Sequence, residues 1–394
     1  MIRVKEIQEA LLGLVGWRQA PESAELMLSG KLVASESGLY FQDVHPLLTL
    51  DNIVCIAPDF KNTETEPGKA FSEWLETKTN GSIQKAVMRY CNERLAAGTM
   101  RSLCENKTLF DGTGRIADAI KNKKNLVGFE LVPIRSKGVT VVINRIGLQF
   151  TEPGSYTLYL MHSSVSQPIQ VITIEKQTKN SLEWFPVNLS LPYQSQKTDA
   201  GGSWYLCYQQ SNLPENSRAI RKNRDWSKGP CSACSRVEYA SWQAWSKYLE
   251  THPFYVNEEL IEHEEEEPLL WDVESMQYTY DTNYGLNLDI SVSCDITDFI
   301  IEQRNLFIDI IAKQVAVDML RELAFNPNVR TNRHSINASR VDILYELDGD
   351  SSSMKKSGLC YQLDLAFKAL EVSLQGIDRV CQPCKNNGIR YKAI

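Results

Sequence analysis

Histidine is scarce in this 394-residue chain. There are five, His45, His162, His252, His263 and His334, and none stands at a metal-ligand spacing from another. His45 and His252 each precede proline and are expected to shape turns. No GxGxxG follows a strand-like run, and GxxxxGK[ST], HExxH and GxSxG are all missing, so the common nucleotide, zinc-protease and serine-hydrolase signatures are excluded. Asp111-Gly112-Thr113-Gly114 has no second copy and reads as a turn leading into a helix. Basic charge does not dominate: 42 Lys and Arg stand against 49 Asp and Glu, a formal net charge of −7. A nucleic-acid wrapper needs a basic excess, so no direct sequence-specific nucleic-acid partner is expected. No apolar run approaches the ~20 residues of a membrane span. No self-similarity at a fixed period points to a solenoid.

What is present is an ordinary globular composition, 43% hydrophobic and 23% charged. At this length the prior is about two to three domains. Val4, Ile7, Leu11, Leu14 and Val15 mark one face of an amphipathic helix, and Glu6, Gln8 and Glu9 interrupt what would otherwise resemble a secretory leader. Folding in a reducing cytoplasm is therefore expected, with the ten cysteines mostly thiols. Ile83, Val87, Tyr90, Cys91 and Leu95 fall on a second helical stripe, with Gly81-Ser82 as its expected cap, and a short helix is expected over 113–122. Residues 1–125 thus read as a mainly helical N-terminal region.

From Leu126 the period changes to two. The runs 126–134, 139–148, 156–162, 169–175, 182–187 and 204–209 are β-rich and separated by Gly, Pro and Ser turns. Short strands at regular spacing predict an antiparallel β-sandwich of jelly-roll type over 126–225. An aromatic-rich and acidic connector follows over 226–268, and a C-terminal α+β region over 269–394. The latter holds a long helix over 296–325, a strand-like RVDILYEL at 340–347 and a last helix over 358–375. The long helix is apolar on too many sides for one stripe, so it must be covered by its own domain or by another subunit. The expected fold class is α+β multidomain, with the sandwich inserted between helical N- and C-terminal segments.

Two cysteine pairs stand out from the scattered ones: Cys231-Ser-Ala-Cys234 and Cys381-Gln-Pro-Cys384. Two residues between thiolates let both sulfurs face one metal, and two such knuckles make a four-sulfur structural zinc site. The pairs are much farther apart than the roughly 15–20 residues of a zinc ribbon, so they would have to meet through the tertiary fold. A redox dithiol and plain loop cysteines are the other readings. Trp226, Trp242 and Trp245, with Trp184, Trp204 and Tyr205, are candidates for stacking on sugar rings, or else for core packing. No pair of carboxylates is singled out for glycoside hydrolysis.

The string LVGFELVPIRSKGVTVVINRIGLQF, with GSYTLYLMHSSVSQPI, WFPVNLSLPY and AGGSWYLCYQQSNLP, spans residues 126–214. It resembles the β-sandwich of virion proteins from phages and prophages of Bacteroidetes, including crAss-like phages. The flanks SESGLYFQDVHPLLTLDNI at 35–53 and GLNLDISVSCDITDFIIEQRNLF at 285–307 are similar to the same group. The resemblance implies a structural neck or tail component, assembled as a ring or head–tail connector, made in the bacterial host cytoplasm and located in the virion. It implies a carbohydrate-module-like sandwich, with other copies of itself and neighbouring virion proteins as partners, and no enzyme. A carbohydrate-binding or adhesion protein that holds a host surface glycan is the alternative. The resemblance assigns no functional residue. No cofactor is expected beyond the zinc of the four cysteines.

Overall fold

A computed structural model describes residues 2–19, 27–60, 66–95, 101–112, 115–134, 137–192, 201–265, 267–325, 340–349, 357–377 and 379–381. The chain has helices and antiparallel sheets and divides into two compact units. One is a β unit drawn from Ala97–Ile296 and Gly376–Ile394, and the other a helical unit drawn from Ile2–Ala96 and Thr297–Gln375.

The β unit holds twelve strands among its described residues: β1 (Ser102–Thr108), β2 (Asn125–Pro133), β3 (Val139–Gln149), β4 (Gly154–His162), β5 (Val165–Lys176), β6 (Leu182–Pro192), β7 (Trp204–Gln209), β8 (Leu249–Asn257), β9 (His263–Glu264), β10 (Glu267–Pro268), β11 (Gln277–Tyr278) and β12 (Leu286–Cys294). They form a four-stranded sheet in the order β1-β12-β3-β6 and a six-stranded sheet in the order β11-β8-β2-β7-β4-β5, with β9 and β10 as a small hairpin. Every expected run from 126 to 209 is a strand.

Residue alternation explains why β7 is buried along its whole length. Tyr205 and Cys207 pack with Leu126, Met161, Phe254 and Val256 under Ile261 and Trp271 of the following loop. Tyr208 points the other way, against Phe150 at the end of β3 (5.5 Å between ring centroids). The centre of the six-stranded sheet is therefore covered on both faces, and β2 and β7 lose the polar alternation of a half-exposed sheet, while the outer strands β5 and β11 stay largely exposed. In β2 only glycine fits at position 128, because a Cβ there would lie 2.1 Å from the Leu206 carbonyl oxygen.

Strand pairing reaches well beyond 126–225. β1 lies in the region expected to be helical, and pairs with β12. Of its residues only Cys104 is buried, so this edge strand carries no apolar alternation. The expected helix over 113–122 is reduced to a 3-10 turn at Ile116–Asp118, after which Ala119 bridges Ile220. The expected connector contributes the helix Arg236–Trp245 and strand β8, which pairs with β2 from Asn125↔Asn257 to Pro133↔Leu249. Cys294 at the end of β12 is disulfide-bonded to Cys381, so these two are not the thiols expected from the sequence.

In the helical unit α1 is Val4–Leu11, α2 Gly30–Val33, α3 Phe41–Val44, α4 Leu50–Val54 and α5 Pro67–Arg94; Arg236–Trp245 of the β unit is α6; then come α7 Thr297–Glu302, α8 Ile308–Phe325, α9 Arg340–Asp348 and α10 Leu359–Ala369. Pro67 starts α5, a position where its missing N–H costs nothing. The helix runs through Gly81-Ser82 instead of starting there. The Ser82 hydroxyl donates to Asp318 of α8 at 2.7 Å.

The expected helix over 296–325 is broken: α7 gives way to a 3-10 turn at Arg304–Phe307 before α8 begins. At the break the Gln303 side chain is held by Ser373, donating to its carbonyl and accepting from its N–H, each at 2.8 Å. α8 packs against α3, α4, α5, α9 and α10. Its apolar sides, from Ile310 to Leu323, are thus buried within the single chain. Residues 340–347 are helical instead of strand-like, because Ile343 and Leu347 are buried at a spacing of one helical turn. The last helix ends at Ala369, short of the expected 375.

Candidate functional site

A cleft of about 590 Å³ opens at one end of the β unit. Four segments build it: the stretch around Asp118 to Lys123, the start of β2, the end of β7 with Arg221, and the Thr279–Tyr284 loop, with Tyr255 of β8 on its wall. The loop is held by local chemistry. Tyr284 has a left-handed backbone (φ 51°), its N–H donates to Thr282 Oγ1 at 3.2 Å, and its carbonyl accepts from the buried Tyr208 hydroxyl at 2.9 Å. Gly285 follows at φ 74°, where a Cβ would meet the Gln149 carbonyl oxygen at 2.7 Å, so the turn needs glycine.

The lining is half polar, half apolar, and mixed in sign. Arg221 Nη1 donates to Asp281 Oδ2 at 2.9 Å, and its backbone N–H to the Asp118 carbonyl at 3.2 Å. Gln210 Oε1 accepts from the Lys123 N–H at 3.0 Å. The Tyr255 hydroxyl donates to Gln277, and the Thr279 hydroxyl to that of Tyr284 at 3.3 Å. Burial pushes the Tyr284 phenol up to about 12, so it stays neutral and protonated at ordinary pH. No histidine or cysteine lines the cleft. Hydroxyls, the amides of Asn125 and Gln210, a paired guanidinium, the charged residues Asp118, Lys121 and Lys123 and a half-buried ring suit hydrogen bonding to a polar ligand.

The stacking candidates are placed elsewhere. Trp226 is core: it is 5% exposed, edge-on to Phe110 (5.9 Å) and Phe129 (5.6 Å), with the Arg224 guanidinium 4.1 Å from its ring centroid. Trp245 is also core, at 2% exposed. The reason is that α6 turns one side onto β1 and β12, which takes Trp245 inward. Trp242 is half-buried beside Tyr239, and close enough to Gly229 that a Cβ there would meet its ring at 2.7 Å. Trp204 is core beside His162, Tyr205 packs on Phe254 and Trp271, and Trp184 is half-buried with Arg145 over its ring.

The four cysteines do not converge as expected. Cys381 is buried and its sulfur is shared with Cys294, which removes it from the zinc set. Cys384 lies outside the described residues. Cys231 and Cys234 are free and exposed, on the turn that leads into α6. The Cys231 carbonyl accepts from the N–H groups of Cys234 and Ser235 at 3.2 and 3.1 Å, and Ser235 Oγ caps the helix by accepting from Glu238 N–H at 3.2 Å. Hydrogen bonds from the Cys234 thiol and from the N–H groups of Cys234 and Ala233 lower the Cys231 thiol below its ordinary value. The same bond and the charge on Cys231 raise Cys234. Among the described residues no group of three or more His, Cys, Asp or Glu is placed to hold a metal.

Sequence reasoning missed Arg221, Tyr255, Asp281 and Tyr284. The one readable signal was Asp281-Thr-Asn-Tyr-Gly285, a run of turn formers between two strand-like segments. A comparison with protein-family models, one with curated proteins and one with solved structures each found no match.

Proposed function

We propose that this chain is a structural component of a phage particle, at the neck or tail, that acts as a ring or connector subunit by shape and packing and not by catalysis. The observation that carries this reading is the order of the chain. The main segment of the two-sheet β unit, Ala97–Ile296, interrupts the helical unit, and the chain returns to the β unit at Gly376–Ile394, an order in keeping with a folded module inserted into a helical protein. The strings at 35–53, 126–214 and 285–307, similar to virion proteins of Bacteroidetes phages, support the same reading.

The β unit is read as a jelly roll. Taking β1 to β7 and β12 as its eight strands, the orders β1-β12-β3-β6 and β2-β7-β4-β5 follow the double Greek key, and α6, β8 and β11 are then an insertion before the last strand. α8 lends no support to a ring, because its own unit covers it. Self-association must use another surface. Mass photometry of the purified chain, alone and with the neck and tail proteins encoded beside it, tests the proposal. Closed oligomers or defined co-assemblies are expected. A monomer at micromolar concentration that joins none of these proteins overturns it.

The cleft favours a second reading, a carbohydrate-binding protein at the tail. In it the half-buried Tyr255 is the stacking ring and Asp281 and Arg221 bind hydroxyls. Glycan-array binding that Tyr255→Ala and Asp281→Asn abolish, and Trp226→Phe does not, is the expected result.

A further inference from the structure

The outermost strand of a sheet has backbone groups with no partner on one side, and such edges are blunted by charge, proline, bulges or short length unless another strand joins them. Three of the four edges of the two main sheets are blunted in this way. β1 breaks register twice against β12 and carries Glu105 and Lys107. β6 breaks register against β3, with Pro186 beside the break and Asn188 left-handed at φ 52°. β11 pairs over two residues only. β5 is the exception. It is twelve residues long, bears no charge from Val165 to Ile174, and pairs without a break from Gln170↔Leu160 to Lys176↔Gly154. Its start is already met: the Leu270 N–H donates to the Ser166 carbonyl at 2.8 Å, the Gln167 amide donates to Glu264 of β9 at 2.7 Å, and Pro168 has no N–H. From Gln170 to Glu175 the outer side of β5 faces no strand among the described residues. Val171, at 40% exposed, Thr173 and Glu175 line its open face.

We propose that β5 is a self-association edge whose occupant is a second copy of this chain: its β5 adds antiparallel about a two-fold axis at Ile172 and joins the two six-stranded sheets into one. Alternate residues of Gln170–Glu175 turn their N–H and C=O groups away from β4, and another extended backbone is what pairs them in series. The neutral run fits a copy of itself. A two-fold centred on Ile172 sets Val171 opposite Thr173, Gln170 opposite Ile174 and Glu175 opposite Ile169, so no like charges meet and the two Glu175 carboxylates lie at opposite ends of the ladder. Val171 and Thr173, both β-branched, make a cross-strand pair on the exposed face. This edge supplies the surface that self-association needs once α8 is covered by its own unit, and the proposal rests on that reading for a copy as partner. The contact is isologous and closes as a dimer, so a ring contains it only together with a second, different contact.

Sedimentation velocity of the full chain, with peptide-level hydrogen exchange at the same concentrations, tests the proposal. A ladder this short is small beside a stable interface of about 1,200–2,000 Å², so a monomer–dimer equilibrium is expected between about one and several hundred micromolar. Exchange over Gln170–Glu175 should slow as the dimer forms, while β1 and β6 keep their rates. Val171→Lys together with Thr173→Lys sets lysine against lysine in the two-fold register, and is expected to weaken the dimer at least about tenfold; Val171→Glu with Thr173→Glu should do the same. Both positions are exposed, so each double variant is expected to keep the parent unfolding temperature. An equimolar mixture of the two double variants should recover the dimer, which misfolded chains would not do. A chain that stays monomeric throughout, a dimer without slower exchange in β5, double variants that associate like the parent, a mixture that recovers nothing, or a β5 protected only by a different protein would each overturn the proposal. Rings with neck and tail proteins that form equally well from the double variants overturn the β5 edge and leave the ring reading standing. A β5 dimer that joins none of those proteins upholds the edge while that reading falls.

Discussion

The β unit buries several charged residues, whereas the helical unit keeps most of its charged side chains nearer the surface. Glu130, Lys176, Asp289 and Asp295 are all buried in the β unit, and among the described residues of the helical unit no Asp, Glu, Lys or Arg is buried as a whole residue. Each buried charge has partners. Asp289 accepts from Arg145 Nε at 2.7 Å, Asp295 from the Thr140 hydroxyl at 3.0 Å and Glu130 from the Tyr278 hydroxyl at 2.7 Å, while Lys176 donates to Thr178 Oγ1 at 2.9 Å. In the helical unit the Arg3 side chain is enclosed between Glu6 at 2.9 Å and Asp298 at 2.6 Å, other pairs such as Lys78–Glu322 and Lys85–Asp318 are more open, and the core is the apolar meeting of α5, α8 and α10. The difference follows from the architecture. A helix satisfies its own backbone and can present a purely apolar stripe. A strand sends alternate side chains to opposite faces, so a charged residue within a covered strand, such as Glu130 in β2 or Asp289 in β12, is buried and must be met by a side-chain partner.

Core truncation tests whether the two units share one kind of apolar packing. Trp226→Ala is expected to cost about 3–5 kcal/mol, because two aromatic rings and a guanidinium lose their common partner. Leu320→Ala in α8 is expected to cost about 2–5 kcal/mol. Peptide-level hydrogen exchange should place the first loss in the β unit and the second in the helical unit. A spread of either effect across the whole chain would break the division.

The disulfide sharpens the contrast. It ties Cys294 to Cys381 across a sequence separation of 87, and the described residues show no other. Cys381→Ala, or reduction, is expected to destabilise the β unit by about 2–5 kcal/mol. Thermal unfolding with and without reductant, followed by exchange of β12, measures it. Little change in the helices is expected.

How far the sequence could be read depends on where each segment finds its partners. β2 to β7 were legible because apolar residues recur within each strand, and α5, α8 and α10 because their buried residues recur every turn. β1 was not, since its partner β12 is far along the chain (Asn106 N–H donates to Ser291 Oγ, 185 residues away) and it exposes most of its side chains. The α9 segment misled for a different reason: its Val, Ile, Leu and Tyr favour a strand, and only packing on α8 makes it helical. The cleft residues come from four distant segments and share no spacing. The tryptophans show the same limit, because nothing in the local string separates a ring that stacks on a ligand from one that fills a core. The cysteine spacing was visible, but whether a sulfur is exposed or spent in a disulfide is set by the fold alone.

Alkaline pH is expected to act next most strongly, and mainly on the β unit. Burial pushes the Tyr205 and Tyr284 phenols up to about 12 from an ordinary value near 10.0, and Tyr208 well above it. Below that ordinary value both folded and unfolded chains keep these protons, and the stabilisation is fully present. As pH rises, the unfolded chain releases them first, so stability falls until the folded phenols titrate. Each displacement of this size is worth about 2–3 kcal/mol. Tyr90, raised by burial in the helical unit, makes a smaller contribution there. Tyrosinate absorbance and circular dichroism, followed between about pH 10 and 12, should rise and fall together. Tyr208→Phe keeps the ring, so it should weaken that dependence.

The smallest effect is expected at the surface of the helical unit. Arg89 of α5 pairs with Glu93 at 2.8 Å and with Asp364 of α10 at 2.5 Å, and all three side chains are partly open to solvent. Its guanidinium also lies 4.3 Å from the ring centroid of Phe367, a buried residue of α10. Exposed ion pairs contribute about 0–1 kcal/mol and are screened by salt, whereas contact with a ring is not screened to the same degree. Arg89→Ala is therefore expected to cost about 1 kcal/mol in chemical denaturation, and Asp364→Asn less than that. The cost of Arg89→Ala should survive molar salt, because most of it is the lost cover over Phe367. If salt erases it, the charges carry the contact, and this surface then depends on electrostatics as the β core does.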